Sequence, residues 1–168
     1  MEITNTTTVG EALPFLKPEH IEELMKSDKV QALPYHKSVF EMTVGEFIEC
    51  LDDKFTESFF KNPEELLVTA MGTLKHFRNE LDSVNKILKL NEVKLTPEET
   101  AAQRGVVFPS FQESILCECV EWFHLHSLDD AEKLPFSNWL IMKRKRSADV
   151  LFERNLNKLY GDKSKKKK

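Results

Sequence analysis

The chain has 168 residues, 40% of them apolar and 31% charged, and its formal net charge is −4. This length suits one domain that can bury a sizeable core. Because no run of about 18 apolar residues is present, we expect no membrane-spanning helix. The N-terminus lacks the basic-then-apolar order of a signal peptide. In a chain without a signal peptide, an odd number of cysteines, here three, favours reduced thiols in a cytosolic setting.

The charges are unevenly distributed along the chain. Residues 143–168 hold 11 Lys and Arg against 3 Asp and Glu, a balance of +8, which leaves −12 for the remaining residues. An acidic body with a basic end indicates a surface that binds a partner or a second copy of the chain.

The first predicted elements are short. Residues 1–17 are predicted to form a flexible arm. Pro18, suited to a first helical turn, begins a short helix that extends to about Lys29. Thr43 and Glu46 stand at the spacing of a capping box, which predicts a second helix start.

The tetrapeptide Thr-Val-Gly-Glu occurs twice, at residues 8–11 and at residues 43–46. This offset of 35 residues invites comparison with helical repeats. No further match occurs at the same offset, so we favour two similar helix starts over a repeat.

A long helix in the middle of the chain is the strongest prediction. Asn62 is a suitable N-cap and Pro63 a suitable first residue, so the helix is expected to run from Pro63 to Leu90. Because Met71 and Ile87 widen its apolar face beyond a coiled-coil seam, we favour an intramolecular bundle, with an oligomerisation helix as the alternative. Its apolar residues recur at alternating steps of three and four: Leu67, Ala70, Leu74, Phe77, Leu81, Val84 and Leu88.

Two helix starts follow the central helix. Thr96 and Pro97 predict a short, polar helix that ends near Gly105. Ser110 opens a helix from Phe111 to about His124, which is apolar on more than one side. We expect that helix to be the most buried of the fold or to meet a partner.

The last part of the chain is predicted to be helical and then disordered. Ser127 indicates one short helical turn before Pro135. The last helix is expected to begin near Ser137 or Asn138, to run to Tyr160 and to end at Gly161.

These elements together predict an all-α fold. We expect an irregular bundle of five to seven helices around the long central helix, with a flexible N-terminal arm and a basic C-terminal tail. The expected divisions are an arm at residues 1–17, a helical domain at 18–161 and a disordered basic tail at 162–168.

The sharpest chemical pattern combines two cysteines with two histidines, Cys117, Cys119, His124 and His126. Thiolates and imidazoles are good zinc ligands, but residues two apart on a helix point about 200° apart. Four ligands around one ion would therefore require a broken helix, and we expect no metal site. The chain also lacks phosphate-binding and nucleophile motifs, so we expect no cofactor and no enzymatic activity.

The basic end is the candidate binding surface. Its functional interpretation is salt-sensitive contact with nucleic-acid phosphates, and its simplest interpretation is a solvated helix turn and a solubilising tail. The residues expected to contact a partner are basic or aromatic: Lys143, Arg144, Lys145, Arg146, Lys165, Lys166, Lys167, Lys168, Trp122 and Phe123.

Two segments, residues 33–51 (LPYHKSVFEMTVGEFIECL) and residues 108–160 (FPSFQESILCECVEWFHLHSLDDAEKLPFSNWLIMKRKRSADVLFERNLNKLY), together make up about half of the chain. They resemble small helical proteins encoded in the structural-gene modules of tailed bacteriophages, including the crAss-like group. The resemblance implies a virion or assembly role (head, connector, tail, packaged component or chaperone) and a location in the virion or the host cytoplasm. It transfers no functional residue.

We therefore expect a non-enzymatic protein-interaction component that forms homo-oligomers and binds other virion or assembly proteins. Opposite charges on its body and its end could pair between neighbouring copies. The alternative is a nucleic-acid-associated accessory protein that acts through its basic C-terminal end.

Overall fold

A computed structural model describes residues 4, 6–27, 30–34 and 37–165, and these residues confirm the all-α class. Two 3-10 turns, at Leu13–Phe15 and Val39–Glu41, accompany the α-helices. Within the described ranges there are nine α-helices: α1 (Val9–Ala12), α2 (Pro18–Lys26), α3 (Val44–Glu49), α4 (Asp53–Ser58), α5 (Leu67–Leu90), α6 (Pro97–Ala102), α7 (Phe111–Phe123), α8 (Leu128–Glu132) and α9 (Phe136–Lys165).

The helix starts that the sequence marks with capping boxes are confirmed. In α3, α6 and α7 the residue before the helix accepts from the third backbone N–H, and the glutamate at that third position accepts in return. The three N-caps are Thr43, Thr96 and Ser110. These starts are predictable because both partners lie within four residues of each other.

The central helix begins later than predicted. It starts at Leu67, four residues after Pro63, whereas Asn62 accepts from the N–H groups of Glu64 and Glu65 in a turn. The cause is tertiary, since the carbonyls of Pro63 and Glu65 accept from the N-terminal segment. Those carbonyls are therefore not free to begin a helix at Pro63.

The core is built around α5 and includes buried residues from Val9 in α1 to Leu140 in α9. Two aromatic clusters fill it. One contains Phe55, Phe59 and Phe77, whose ring centroids lie 5.0 to 5.8 Å apart. In the other, Phe136 stacks between Phe47 and Trp139, at centroid distances of 3.7 and 5.4 Å. The buried residues of α5 are Leu67, Ala70, Met71, Gly72, Leu74, Phe77 and Val84.

The two Thr-Val-Gly-Glu segments dock in the same way. Thr8 forms an antiparallel bridge with Leu66, directly before α5, and Thr43 forms one with Pro135, directly before α9. The following valine N–H groups donate to the carbonyls of Glu65 and Leu134.

In each segment, the glycine lies against the residue three positions before the bridge partner of the threonine. A Cβ at Gly10 would meet Pro63 at 3.0 Å, and one at Gly45 would meet Glu132 at 3.1 Å. The repeated tetrapeptide is thus a docking element used twice, once for each long helix, and this role goes beyond that of a helix start.

The predicted N-terminal arm is partly ordered structure, which corrects the expectation for residues 8–16. Thr8 caps α1 through a capping box, and Val9 and Ala12 are fully buried. The Thr-Val-Gly-Glu segment at residues 8–11 predicts this helix start, but the contacts that order it come from the distant residues 63–67. Residues 1–3 and 5 of the arm lie outside the described part of the chain.

Two expectations about the later helices are wrong. Gly161 does not end the last helix, because α9 continues through it to Lys165. The tail predicted at 162–168 is therefore helical as far as Lys165, and residues 166–168 are not described. Nor is α7 the most buried helix, since only Ile115 and Cys119 of its residues are buried. The other expectation for this helix, that it meets a partner, stays a prediction.

Candidate functional site

The last helix presents two chemically different faces beyond the core. With 30 residues it extends about 45 Å, and Phe136, Trp139 and Leu140 at its start are buried. The face that continues Trp139 lines a cavity, whereas the face that continues Ile141 is turned away from the core.

The cavity has a volume of about 520 Å³ and lies between three segments. The inner face of α9 forms one side, α7 forms the second, and the end of α5 with the residues after it forms the third. Apolar side chains make up most of the surface. The lining residues are Leu88, Lys89, Asn91, Glu92, Val93, Phe111, Glu118, Trp122, Trp139, Lys143, Arg146, Ser147 and Val150.

Glu118 organises the polar side of the cavity. One of its carboxylate oxygens accepts from the indole N–H of Trp139 at 2.9 Å, and the other accepts from Lys143 Nζ at 2.5 Å. The ammonium group of Lys143 also lies 5.7 Å from the ring centroids of Trp122 and Trp139. The two indole rings and the carboxylate together hold this ammonium group in place.

The second cation of the cavity is held less firmly. Arg146 lies over the Trp122 ring at 5.6 Å, and its only ion pair within the described residues is a 3.7 Å contact with Glu121. Arg146 is 55% exposed and Glu121 72% exposed, so this ion pair is weak. Arg146 can therefore turn toward a ligand at little cost.

The indole nitrogen of Trp122 is enclosed and has no hydrogen-bond acceptor among the described residues. A buried N–H without an acceptor is uncommon in folded proteins and carries a free-energy cost. This donor belongs to a residue that lines the cavity.

A bidentate ion pair links α9 to the segment that follows α5. Arg154 of α9 donates to both oxygens of Glu99 at 2.7 and 2.6 Å and to the carbonyl of Lys94 at 2.7 Å. Hydrogen bonds from the N-cap Thr96 and from Arg154 lower the pKa of Glu99 below its usual range. The segment after α5 is thereby tied to α9, which keeps the third side of the cavity in position.

The outward face of α9 carries an exposed apolar stripe. Ile141, Ala148, Phe152 and Leu159 are separated by seven, four and seven residues and so share one face. The exposed fractions of the three large side chains are 61%, 67% and 62%. Leu151 and Leu156, also exposed, flank the stripe. Large exposed apolar patches often mark interaction sites.

The predicted contact residues fall into different environments. Lys143 and Arg146 lie on the cavity side, whereas Lys145 is exposed and pairs with Asp149 at 2.8 Å. Arg144 is exposed. Three of the four consecutive cations, Lys143, Lys145 and Arg146, thus form ion pairs with carboxylates of the same chain.

The remaining predicted contact residues are not a single surface. Trp122 and Phe123 are half-buried and pack against the core. Lys165 is the last helical residue described, and Lys166, Lys167 and Lys168 lie outside the described residues.

The cysteine and histidine pattern is divided between environments. Cys119 is buried and Cys117 exposed, while His124 ends α7 in a left-handed conformation with φ of 52°. In the part of the chain that the structure describes, no group of three or more metal-ligating side chains is close enough to hold an ion.

Sequence reasoning missed Glu118 and Arg154, and it recognised the apolar stripe of the last helix without its exposure. Glu118 and Arg154 bond to residues at least 21 positions away, so local patterns carry no trace of those contacts. The seven-four-seven spacing of the stripe was a usable signal, because a helix start at Phe136 places Ile141 opposite the buried Trp139.

Comparison of the chain with protein-family models, with curated proteins and with solved structures finds no match. Among the described helices, none combines the length and the apolar character needed to cross a bilayer.

Proposed function

We propose that this protein is a non-enzymatic interaction component that associates with further copies of itself through the outward face of α9. The observation that carries the proposal is the exposed stripe of Ile141, Phe152 and Leu159. Covering such a stripe with an equivalent one removes apolar surface from water on both copies.

The flanking residues favour a parallel pair of α9 helices. With Phe152 and Leu159 at a positions, the g position of one helix faces the e position five residues later in the other. Arg144 would then face Asp149 of the second copy, and Leu151 would face Leu156 of the second copy. The first contact joins opposite charges, and the second extends the apolar seam.

The stripe is not uniformly apolar. Lys145 shares its face, and so does Asn155. Polar residues at such positions lower the stability of a coiled coil and fix its register. We therefore expect an association that depends on concentration and has one defined alignment.

We further propose that this association serves the assembly of a bacteriophage particle, with the protein located in the virion or the host cytoplasm. The support is the resemblance of residues 33–51 and 108–160 to structural-module proteins of tailed phages. Other virion or assembly proteins are the expected partners.

The alternative is a nucleic-acid-associated accessory protein that uses the basic end. The exposed Arg144 favours it, and the short intramolecular ion pairs of Lys143 and Lys145 weaken it. Those carboxylates compete with phosphate for the same cations.

Light scattering at low and high salt, with absorbance at 260 nm, tests the two functions. We expect a discrete oligomer free of nucleic acid that Phe152→Glu converts to monomer. Val107→Glu is the matched control, because Val107 is 95% exposed and lies away from α9.

A wild-type monomer at all concentrations, or equal loss of association in both variants, would contradict self-association through α9. A monomer that carries nucleic acid and loses it in salt would support the alternative.

A further inference from the structure

We propose that the cavity between α5, α7 and α9 binds a small organic anion with a flat apolar ring system. This inference concerns the inner face of α9 and does not depend on self-association through the outer face.

The size and the surface of the cavity suit such a ligand. Its volume of about 520 Å³ falls within the range of small-molecule sites, which run from about 300 to 1,000 Å³. Phe111 and Trp122 supply aromatic surface, with the buried Trp139 behind them, and Leu88, Val93 and Val150 supply aliphatic surface. A flat ring packs well against such walls.

The charges of the cavity favour an anion. Three cations line it, Lys89, Lys143 and Arg146, against two carboxylates. One of these carboxylates, Glu118, is already engaged by Trp139 and Lys143. The cavity is thus locally positive in a chain whose formal net charge is −4, and this contrast makes the site selective for negative ligands.

Arg146 is the side chain placed to bind the anionic group. It is half exposed, lies over Trp122 at the edge of the cavity and has only a distant contact with Glu121. A guanidinium group binds carboxylate, sulfonate or phosphate oxygens through paired N–H donors. Lys143 supports the positive field but stays bound to Glu118.

The indole N–H of Trp122 donates to nothing within the described residues, and its nitrogen is enclosed. A ligand in the cavity would therefore reach this donor only if the Trp122 side chain shifts, so the preference for an anion rests on Arg146 and on the charges of the lining residues. The cavity thus combines apolar walls with a cation that lacks a firm partner.

The two tryptophans provide the measurement, because both indoles of the chain line this cavity. The probe is 8-anilinonaphthalene-1-sulfonate, and its uncharged counterpart N-phenyl-1-naphthylamine is the charge control. Tryptophan quenching and calorimetric stoichiometry are recorded in the Phe152→Glu background, so that the outward face of α9 does not contribute probe binding.

We expect one sulfonate probe per chain, with quenched tryptophan emission and an affinity about tenfold above that of the uncharged probe, as one charge-assisted hydrogen bond provides. Arg146→Ala should remove this preference and leave the uncharged probe unaffected. Arg104→Ala removes an exposed arginine outside the cavity and should change neither affinity.

A second variant tests the location of the site. Val150→Trp fills the cavity from α9 and should abolish binding of both probes, with circular dichroism used to verify folding. Absence of binding, several equivalent sites per chain, equal effects of Arg146→Ala and Arg104→Ala, or unchanged binding to a folded Val150→Trp protein would each overturn the proposal. These outcomes are separate from the oligomer mass, which tests the proposed function.

Discussion

The indole N–H of Trp139 donates a 2.9 Å hydrogen bond to Glu118, and this bond joins α9 to α7 beside the cavity. Trp139 is 1% exposed and Glu118 is half-buried. Because the other oxygen of Glu118 holds Lys143, one carboxylate fixes two side chains of α9. The contact therefore contributes both to the packing of the fold and to the shape of the candidate site.

Glu118→Ala is expected to lower the free energy of unfolding by about 2 kcal/mol, because it leaves the buried N–H of Trp139 without an acceptor. Glu118→Gln keeps a carbonyl oxygen as acceptor, so its free energy of unfolding should fall by about half as much. Urea unfolding followed by tryptophan fluorescence measures both. Glu121→Ala, at a position 72% exposed, is the control and should change stability by less than about 0.5 kcal/mol. Equal losses at Glu118 and Glu121 would argue against the contact.

Local features of the fold are predictable from the sequence, and contacts between distant segments are not. The capping boxes at Thr43, Thr96 and Ser110 and the apolar face of the central helix depend on residues a few positions apart, and all are confirmed. The start at Pro63 failed because the N-terminal segment takes the carbonyls that a helix there needs.

The candidate site was predictable only in part. The aromatic and basic composition of α7 and α9 pointed to Trp122, Lys143 and Arg146, which do meet at one cavity. The partners that decide their roles, Glu118 and Glu121, cannot be assigned before the packing of the two helices is known. The four consecutive basic residues of α9 point to different sides of the helix, so they do not form one surface.

Gly72 in the second turn of α5 is expected to tolerate no side chain. A Cβ at this position would lie 2.5 Å from the carbonyl oxygen of Gln31, and the carbonyl of Gly72 itself accepts from the N–H of Leu33. Gly72→Ala must therefore displace backbone, and we expect a loss of about 1–3 kcal/mol despite the better helix propensity of alanine. Thermal unfolding of Gly72→Ala beside Asn85→Ala, an exposed site of the same helix, measures the difference. A stabilised Gly72→Ala protein would contradict the close approach of these segments.

Removing residues 1–12 is expected to destabilise the protein, in contrast to the behaviour of a flexible arm. The deletion exposes apolar surface now covered by Val9 and Ala12 and removes the acceptor of the Leu67 N–H. We expect a loss of about 2 kcal/mol or more, since burying one valine side chain is worth about 1.5–3 kcal/mol. Denaturant midpoints of this deletion and of a deletion of residues 162–168 test it. The second deletion should leave the fold intact, and equal midpoints would favour a dispensable N-terminal segment.

The three thiols are expected to differ in reactivity. Burial, the largest cause, raises the pKa of Cys50 to about 12 and that of Cys119 to about 11, and neighbouring glutamates add to both effects. Since the thiolate is the reactive form, a disulfide reagent at pH 8 should modify one thiol rapidly in the folded protein, the exposed Cys117. All three should react in denaturant. Cys117→Ser should abolish the rapid phase, and rapid reaction of two or more thiols in the folded protein would contradict the observed burial.

Glu46 is expected to make stability depend on pH in the acid range. Hydrogen bonds from Lys37, the largest cause, and from the backbone N–H of Thr43 lower the pKa of the folded-state carboxyl. A lowered pKa means that the ionised form stabilises the fold, so the contribution is complete above the unfolded value of about 4.3 and is lost as pH falls below it. Glu46→Gln should therefore be less stable than the wild type at pH 7, and this difference should shrink between about pH 4.5 and pH 3. Lys37→Met removes the largest cause and should reduce the same pH dependence in part, because the Thr43 backbone bond remains. If the difference between the wild type and Glu46→Gln stayed constant over this range, the ionised carboxylate would have no stabilising role at this helix start.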